Sequence, residues 1–422
     1  MSASRTLGIG NCVSTCPKAN IPMKILRLWW CLVSLSLTLA ACASPASVPT
    51  LTAPPAPAAP TAAPTHTPSP APSLTSPPTA SPAPSLTPLP QAFGPTNFPP
   101  AVNPLTGLPV ADPALLSRPP IFVKIANFPR ESRPQSGLAK ADLVFNDYIG
   151  EGTDRFTAVY YGQDAAKVGP IRSARRVDAQ LVRMYQGLLA YAGADPERVF
   201  PLLDRHLGQR AVNAAPATCP ALCDVGPHTV FSVFADTALL SRYAAEERKL
   251  TPTRPNLDGM AFDPQPPSGG LEGAQASVTF NAFNKGLWKY DPTVQRYLRW
   301  QESVGEDNSI SMLPLTDRAA GLPLAFDNVI VAFAPYETIA PTLLDITIWY
   351  NQDGRRAVLF RNGTAYEGIW RAPSADRPMQ FWTPQGQPLA LKPGNTWIVL
   401  AGVTSTLTQD APGIWNMTFS TP

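Results

Sequence analysis

The apolar positions change their period along the chain, and the changes mark its elements. Ile121-Phe-Val-Lys-Ile-Ala126 reads as a buried strand. Ala141-Asp-Leu-Val-Phe145 and Phe156-Thr-Ala-Val-Tyr-Tyr161 read as two more, joined across Gly150-Glu-Gly-Thr-Asp-Arg155. After Gly169-Pro170 the spacing lengthens: Val177, Leu181, Met184 and Leu188 lie on one face of a helix, with Ser173 placed to cap it. Leu188 to Tyr191 reads as a strand, Asp195-Pro196 opens a helix toward Leu207, and Asp236 to Lys249 is a further helix. Strands interleaved with helices imply a sheet with helices on its faces.

From about Gln275 the pattern becomes mostly β. Val278-Thr-Phe280, Asn328-Val-Ile-Val331, Asp345-Ile-Thr-Ile-Trp349, Ala357-Val-Leu-Phe360 and Thr396-Trp-Ile-Val-Leu400 are short β-branched or aromatic runs with glycines at their turns. The expected class is α/β (α+β): an N-terminal mixed-sheet α/β layered domain over 103–251, a Pro/Gly-rich linker over 252–274, and a mainly β C-terminal domain over 275–422.

The residues ahead of these domains have another logic. Met23 to Ala41 has a basic start (Lys24, Arg27), an apolar run from Leu28, and small residues leading to Cys42. This is the layout of a secretory signal peptide, shorter than the ~20 apolar residues of a membrane span. Leu39-Ala40-Ala41-Cys42 resembles the bacterial lipoprotein box, in which the cysteine thiol takes a diacylglyceryl group before cleavage ahead of it. An ordinary signal peptide or an uncleaved anchor is the competing reading. Residues 1–22 have no targeting logic, so translation is expected to start at Met23. From Ser44 to Pro100 the chain is almost entirely Pro, Ala, Thr and Ser, and no charged residue occurs between Arg27 and Asp112. Such a segment cannot bury a core and reads as a disordered tether over 42–102, reaching on the order of 150–180 Å. The expected location is therefore extracytoplasmic, lipid-anchored to a bacterial cell membrane.

Composition narrows the partners. A formal net charge of +3 is too small to imply nucleic acid. Processing would leave Cys42, Cys219 and Cys223. In an oxidising compartment Cys219 and Cys223 can close a disulfide loop, with free thiols or a metal as alternatives. A zinc site would need further ligands, and His206 and His228 are the histidines of the folded part. No metal and no cofactor is expected.

A series of short motifs then carries a family resemblance. Asn103-Pro-Leu-Thr-Gly107, Arg133-Pro-Gln-Ser-Gly137, Ala141-Asp142, Glu151-Gly152, Arg155, Gly169-Pro-Ile-Arg-Ser-Ala-Arg175 and Pro227-His228 occur in the first half. Trp288-Lys-Tyr-Asp291, Tyr297-Leu-Arg299, Asp327-Asn-Val-Ile-Val331, Gly368-Ile-Trp370 and Pro393-Gly-Asn-Thr-Trp397 follow. This succession resembles the YerB-like lipoprotein family from Asn103 to about Val403. The resemblance implies a two-domain lipoprotein, α/β then β, with no established activity. Two positions depart from that pattern: Asn146 stands where the family usually carries glutamate, and Asp154 where it carries threonine.

Three groups of residues carry candidate chemistry. Arg172 and Arg175 flank the helix expected to start near Ser173, where cations oppose the helix dipole at a cost of ~0.3–1 kcal/mol each. With free first-turn N–H groups they make an anion-binding arrangement to which Arg155 and Asp142 are added as ligand-binding candidates. The competing reading pairs these arginines internally with Asp142, Glu151 or Asp195, or points them to water. Glu151, between two glycines, is a candidate general acid for glycan cleavage, with Asp154 or Asp142 as second carboxylate, or else a solvated turn residue. His228 is a proton shuttle or a hydrogen-bonded structural histidine. Trp288, Trp300, Trp349, Trp370, Trp382 and Trp397 can stack on sugar rings or fill a β core. The reading chosen is a membrane-anchored lipoprotein that binds or scaffolds in the cell envelope through an Arg-lined anion site, its partner a cell-wall glycan or envelope protein. Glycan cleavage centred on Glu151 is the alternative.

Overall fold

The fold, taken from a computed structural model, is described for residues 91–421 apart from 228 and 342. The signal peptide at 23–41, Cys42, most of the tether and His228 lie outside the described residues. The described residues begin ahead of Asn103. Phe93 exchanges backbone hydrogen bonds with Phe262, and Phe98 meets the Phe262 ring edge-on at 6.3 Å.

Up to Pro252 the principal strands are β1 (Ile121–Ala126), β2 (Leu143–Gly150), β3 (Thr153–Tyr160), β4 (Leu188–Tyr191), β5 (Ala211–Asn213), β6 (Leu222–Asp224) and β7 (Val233–Ala235). The helices α1 (Arg176–Met184), α2 (Phe200–Leu207) and α3 (Thr237–Glu246) lie among them. Then come β8 (Gln275–Asn281), β9 (Asn284–Asp291), β10 (Arg296–Val304), β11 (Ile310–Pro314), β12 (Asn328–Ala334) and β13 (Tyr336–Ala340). The last are β14 (Leu343–Ile346), β15 (Asn351–Arg361), β16 (Thr364–Ala372), β17 (Thr396–Gly402), β18 (Thr406–Ala411) and β19 (Ile414–Thr418).

One sheet of eleven strands draws on both segments of the chain. Its order is Leu271–Glu272, β16, β15, β12, β17, β2, β3, β1, β4, β5, with Gln380–Trp382 added beside β16. The seam is the parallel pair of β17 and β2, with Thr396 opposite Leu143 and Leu400 opposite Asp147. Strands β12, β17, β2, β1, β4 and β5 run in one direction, while β3 and β15 run against them. The runs β1, β12 and β17 are buried at every position, as strands covered on both faces must be. Helices α1 and α2 cover one face through Val177, Leu181, Met184, Leu203 and Leu207. The other face carries α3 and a seven-stranded sheet (β11, β10, β9, β8, β19, β18, with Ala325–Phe326 beside β10) through Leu240, Val278, Trp288 and Met417. This is the expected α/β region followed by a mainly β region, arranged as three layers.

Several boundaries move. Helix α1 starts at Arg176, not at Ser173, because the backbone of residues 170–174 is already engaged in the sheet. It ends at Met184, so Leu188 belongs to β4 and not to the helix face. Gln186 adopts a left-handed φ of 53°, and a side chain at Gly187 would strike the Phe122 ring, which forces the turn there. Helix α2 begins at Phe200, since the Asp195 carboxylate first closes a turn by accepting from the amides of Glu197 and Arg198. Helix α3 is capped by Asp236, which accepts from the Leu239 amide. The strand expected over Asp345–Trp349 ends at Ile346 and gives way to a turn at Trp349-Tyr350.

Candidate functional site

The segment Gly169–Ala174 fills the fork between the carboxyl ends of β1 and β4. Ala126 N donates to Pro170 O and Arg172 N to Lys124 O, both at 2.9 Å. On the other side Ala192 N donates to Arg172 O and Ala174 N to Gly193 O, both at 3.0 Å. The segment thus becomes a short strand that delivers the chain into α1. It also brings Arg172, Ser173 and Arg175 to the carboxyl ends of the parallel strands, where open α/β sheets place their ligands.

Beneath them, on the same face, lies a buried charge cluster from alternate strand positions. Lys124 of β1 is fully buried, and its ammonium donates to both Asp147 oxygens (2.8 and 3.1 Å), to Asp178 Oδ1 (2.9 Å) and to Thr157 Oγ1 (3.0 Å). Asp178 Oδ2 also accepts from the Arg175 amide at 2.6 Å, which fixes the first turn of α1. Burial pushes the Asp147 carboxyl up to about 6, against the pull of Lys124 and with the push of Asp178.

Arg155 of β3 reaches this cluster and donates through Nη1 to the Ser173 carbonyl. Arg175 donates to the carbonyls of Ala174 (3.1 Å) and Ser173 (3.4 Å). Arg155 is held down at about 9, first by burial and then by Arg175 and Arg172, against the pull of Asp147 and Asp178. Burial likewise lowers Arg172 and Arg175. Among the described residues none of the three pairs with a carboxylate within 4.0 Å, and the buried Nε–H of each has no acceptor. Four cations (Lys124, Arg155, Arg172, Arg175) therefore lie around Asp147 and Asp178, with Asp195 also acting on Arg175. Arg172 and Arg175 lie just ahead of the start of α1 at Arg176.

The hairpin of β6 and β7 forms one wall. It is held by backbone bonds between Val168 and Ala235 and from Ile171 N to Val233 O, and the Phe231 ring lies 6.0 Å from the Arg172 guanidinium. Cys219 and Cys223 are joined in a disulfide at its base.

The remaining candidates lie elsewhere. Asp142 stands at the opposite end of β2, where it accepts from the amides of Tyr161 (2.6 Å) and Gly162 (2.9 Å) and burial raises it to about 6. It lines a cleft of about 610 Å³ with Asn103, Thr106, Arg296, Asp327 and Gly394. Glu151 is exposed at the tip of the β2–β3 hairpin with a left-handed φ of 48°. Asp195 is taken up by its own turn and by Arg198. Asp154 is buried on the opposite face of the sheet from Arg155. It accepts from Asn127 and Asn284 on Oδ1 and from Asn146 on Oδ2, and burial raises it. Asn146 and Asp154, the two positions read above as departures, meet: Asn146 donates to Asp154 at 2.7 Å.

Sequence reasoning missed Lys124, Asp147 and Asp178. One signal was available, a lysine inside an otherwise apolar buried strand. Trp288, Trp370 and Trp397 are fully buried, whereas Trp300, Trp349 and Trp382 are partly exposed. No group of three or more His, Cys, Asp or Glu side chains among the described residues is placed to hold a metal, and no described helix is long and apolar enough to cross a membrane.

A two-segment protein built on one shared sheet, with a cationic site at the strand ends, is the class these observations define. Residues 105–239 match the "Protein of unknown function (DUF3048) N-terminal domain" and residues 276–398 its C-terminal domain. A Bacillus subtilis (strain 168) protein named as a lipoprotein, YerB, is 27% identical over 319 residues, covering 70% of this chain and 84% of that one. The crystal structure of the YerB protein from Bacillus subtilis has the same fold, with a TM-score of 0.56 and 23% identity over 71% of this chain and 96% of that one. The chain belongs to this YerB-like family.

Proposed function

We propose that this protein is an extracytoplasmic lipoprotein, held at the cell membrane through Cys42, that binds an anionic envelope ligand at Arg155, Arg172 and Arg175. The name of its Bacillus relative supports the lipid anchor. One observation carries the anion site: three guanidinium groups lie near one another, Arg172 and Arg175 lowering Arg155 and Arg172 lowering Arg175, with no carboxylate paired to any of them among the described residues. Buried carboxylates under the site hold Lys124 and the start of α1 in place, so the arginines keep their charge for a ligand. Guanidinium forks and the free amides of a helix start both suit a carboxylate, sulfate or phosphate oxygen. An acidic wall glycan or an acidic protein surface would supply such groups.

Nothing in the geometry favours glycan cleavage. The carboxylates weighed as partners for Glu151 are committed elsewhere, Asp154 to three asparagines and Asp142 to backbone amides at the far end of β2.

Sulfate is a suitable probe because it stays a dianion over the working pH range. By isothermal titration, Arg172→Ala/Arg175→Ala should bind sulfate roughly a hundredfold more weakly, from about 1.5 kcal/mol or more per charged hydrogen-bonding group. A folded double variant with unchanged affinity would sink the proposal. Affinity should also strengthen as pH falls through about 6, because protonating Asp147 removes a negative charge beside the arginines. Asp147→Asn should flatten that dependence.

A further inference from the structure

We infer a second binding site, for one neutral sugar ring, in the pocket between α1, α2 and the turn that follows β14. It stands on observations separate from the anion site, although Arg176 on its rim directly follows Arg175.

The pocket encloses about 200 Å³ and is lined by Arg176, Gln180, His206, Thr347, Trp349 and Tyr350, among others. It is smaller than the ~300–1,000 Å³ of sites for drug-sized ligands, and so suits a single ring. Its floor is rigid. Gln180 of α1 donates to Ile346 O (2.7 Å) and accepts from the amides of Ile348 (2.9 Å) and Trp349 (3.2 Å), and Trp349 Nε1 donates to the Gln180 carbonyl (3.0 Å). The turn is thereby bolted to the helix.

What the turn presents is aromatic. The His206 ring meets Trp349 edge-on at 5.0 Å, and Arg183 lies over the Trp349 ring at 5.5 Å. Tyr350 stands nearly perpendicular to Trp349 at 6.5 Å and is 68% exposed. It takes a left-handed φ of 60°, unusual for a bulky residue, so the turn holds a large ring in water at some backbone cost.

Two of the cations around this ring are paired. Arg176 is paired with Asp345 at 2.7 Å and Arg183 with Asp376 at 3.0 Å, while burial and the two neighbouring arginines, Arg183 and Arg205, hold His206 below its usual range. The polar groups left without a hydrogen-bonding partner are neutral: the Thr347 and Tyr350 hydroxyls and one imidazole nitrogen. Neutral donors and acceptors around exposed aromatic rings match a pyranose, whose C–H face stacks while its hydroxyls bond. The two charged groups of the lining, Arg176 and Asp345, are already taken by each other.

The test is saturation-transfer NMR on the full chain with methyl β-glucoside and N-acetylglucosamine as probes. At least one of them should receive saturation from the protein, with affinity falling about tenfold in Tyr350→Gly, which removes the ring and also relieves the backbone, and in Thr347→Val. Absence of transfer to both sugars would overturn the inference. So would binding that neither variant weakens, since the sugar would then sit elsewhere.

Discussion

Lys124→Met should cost about 3–5 kcal/mol of stability near neutral pH, a large share of the ~5–15 kcal/mol that holds a folded protein together. The lysine is fully buried, and its ammonium is shared by Asp147, Asp178 and Thr157 at 2.8 to 3.1 Å. Methionine fills the same space without the charge, so the loss is electrostatic and not a cavity. Two buried carboxylates would then face each other unpaired. Burial already raises Asp147, and a carboxyl raised in the folded state regains stability as pH falls through its folded value. The deficit of Lys124→Met should therefore shrink on acidification, as measured by denaturant unfolding at several pH values. Adding Asp147→Asn should restore part of the loss at neutral pH. A deficit that is constant with pH would show that the cluster is not held together by this charge.

Trp397→Ala should cost about 3–5 kcal/mol by the same measurement. Trp397 lies on β17, the strand that joins the two segments of the chain, and its ring faces the seven-stranded sheet. It meets Phe156 at 4.8 Å, Phe326 at 5.0 Å and Trp288 at 5.6 Å, with the buried Arg299 guanidinium 5.2 Å away. Removing it empties the contact between the layers. Trp397→Phe should be far milder, because the indole N–H finds no acceptor and its loss relieves a buried unpaired donor. Equal costs for the two variants would mean that the ring's volume is not what joins the sheets.

The main strands were legible because they are unbroken apolar runs, and α1 because Val177, Leu181 and Met184 keep a helical spacing. Its start was not. Ser173 looks like a cap in isolation, but its backbone neighbours bond to β1 and β4, and those partners lie 18 or more residues away or across a fork in the sheet. Arg155, Arg172 and Arg175 were named together as candidates, but the strand insertion that brings them near one another was not legible. Asp142 could have been separated from that list by strand direction alone, since it precedes β2 and Asp147 lies near its end. The meeting of Asn146 and Asp154 depends on hairpin register. That register shifts between Tyr148 and Gly150, which no local pattern announces.

The central claim is that Arg155, Arg172 and Arg175 form one anion site. It is tested most directly by following the arginine Nε–H signals of nitrogen-15-labelled protein during a sulfate titration. Signals of these three side chains, assigned by single substitution, should shift together and saturate at one common affinity. Shifts confined to exposed arginines, or drifting without saturation, would contradict the site.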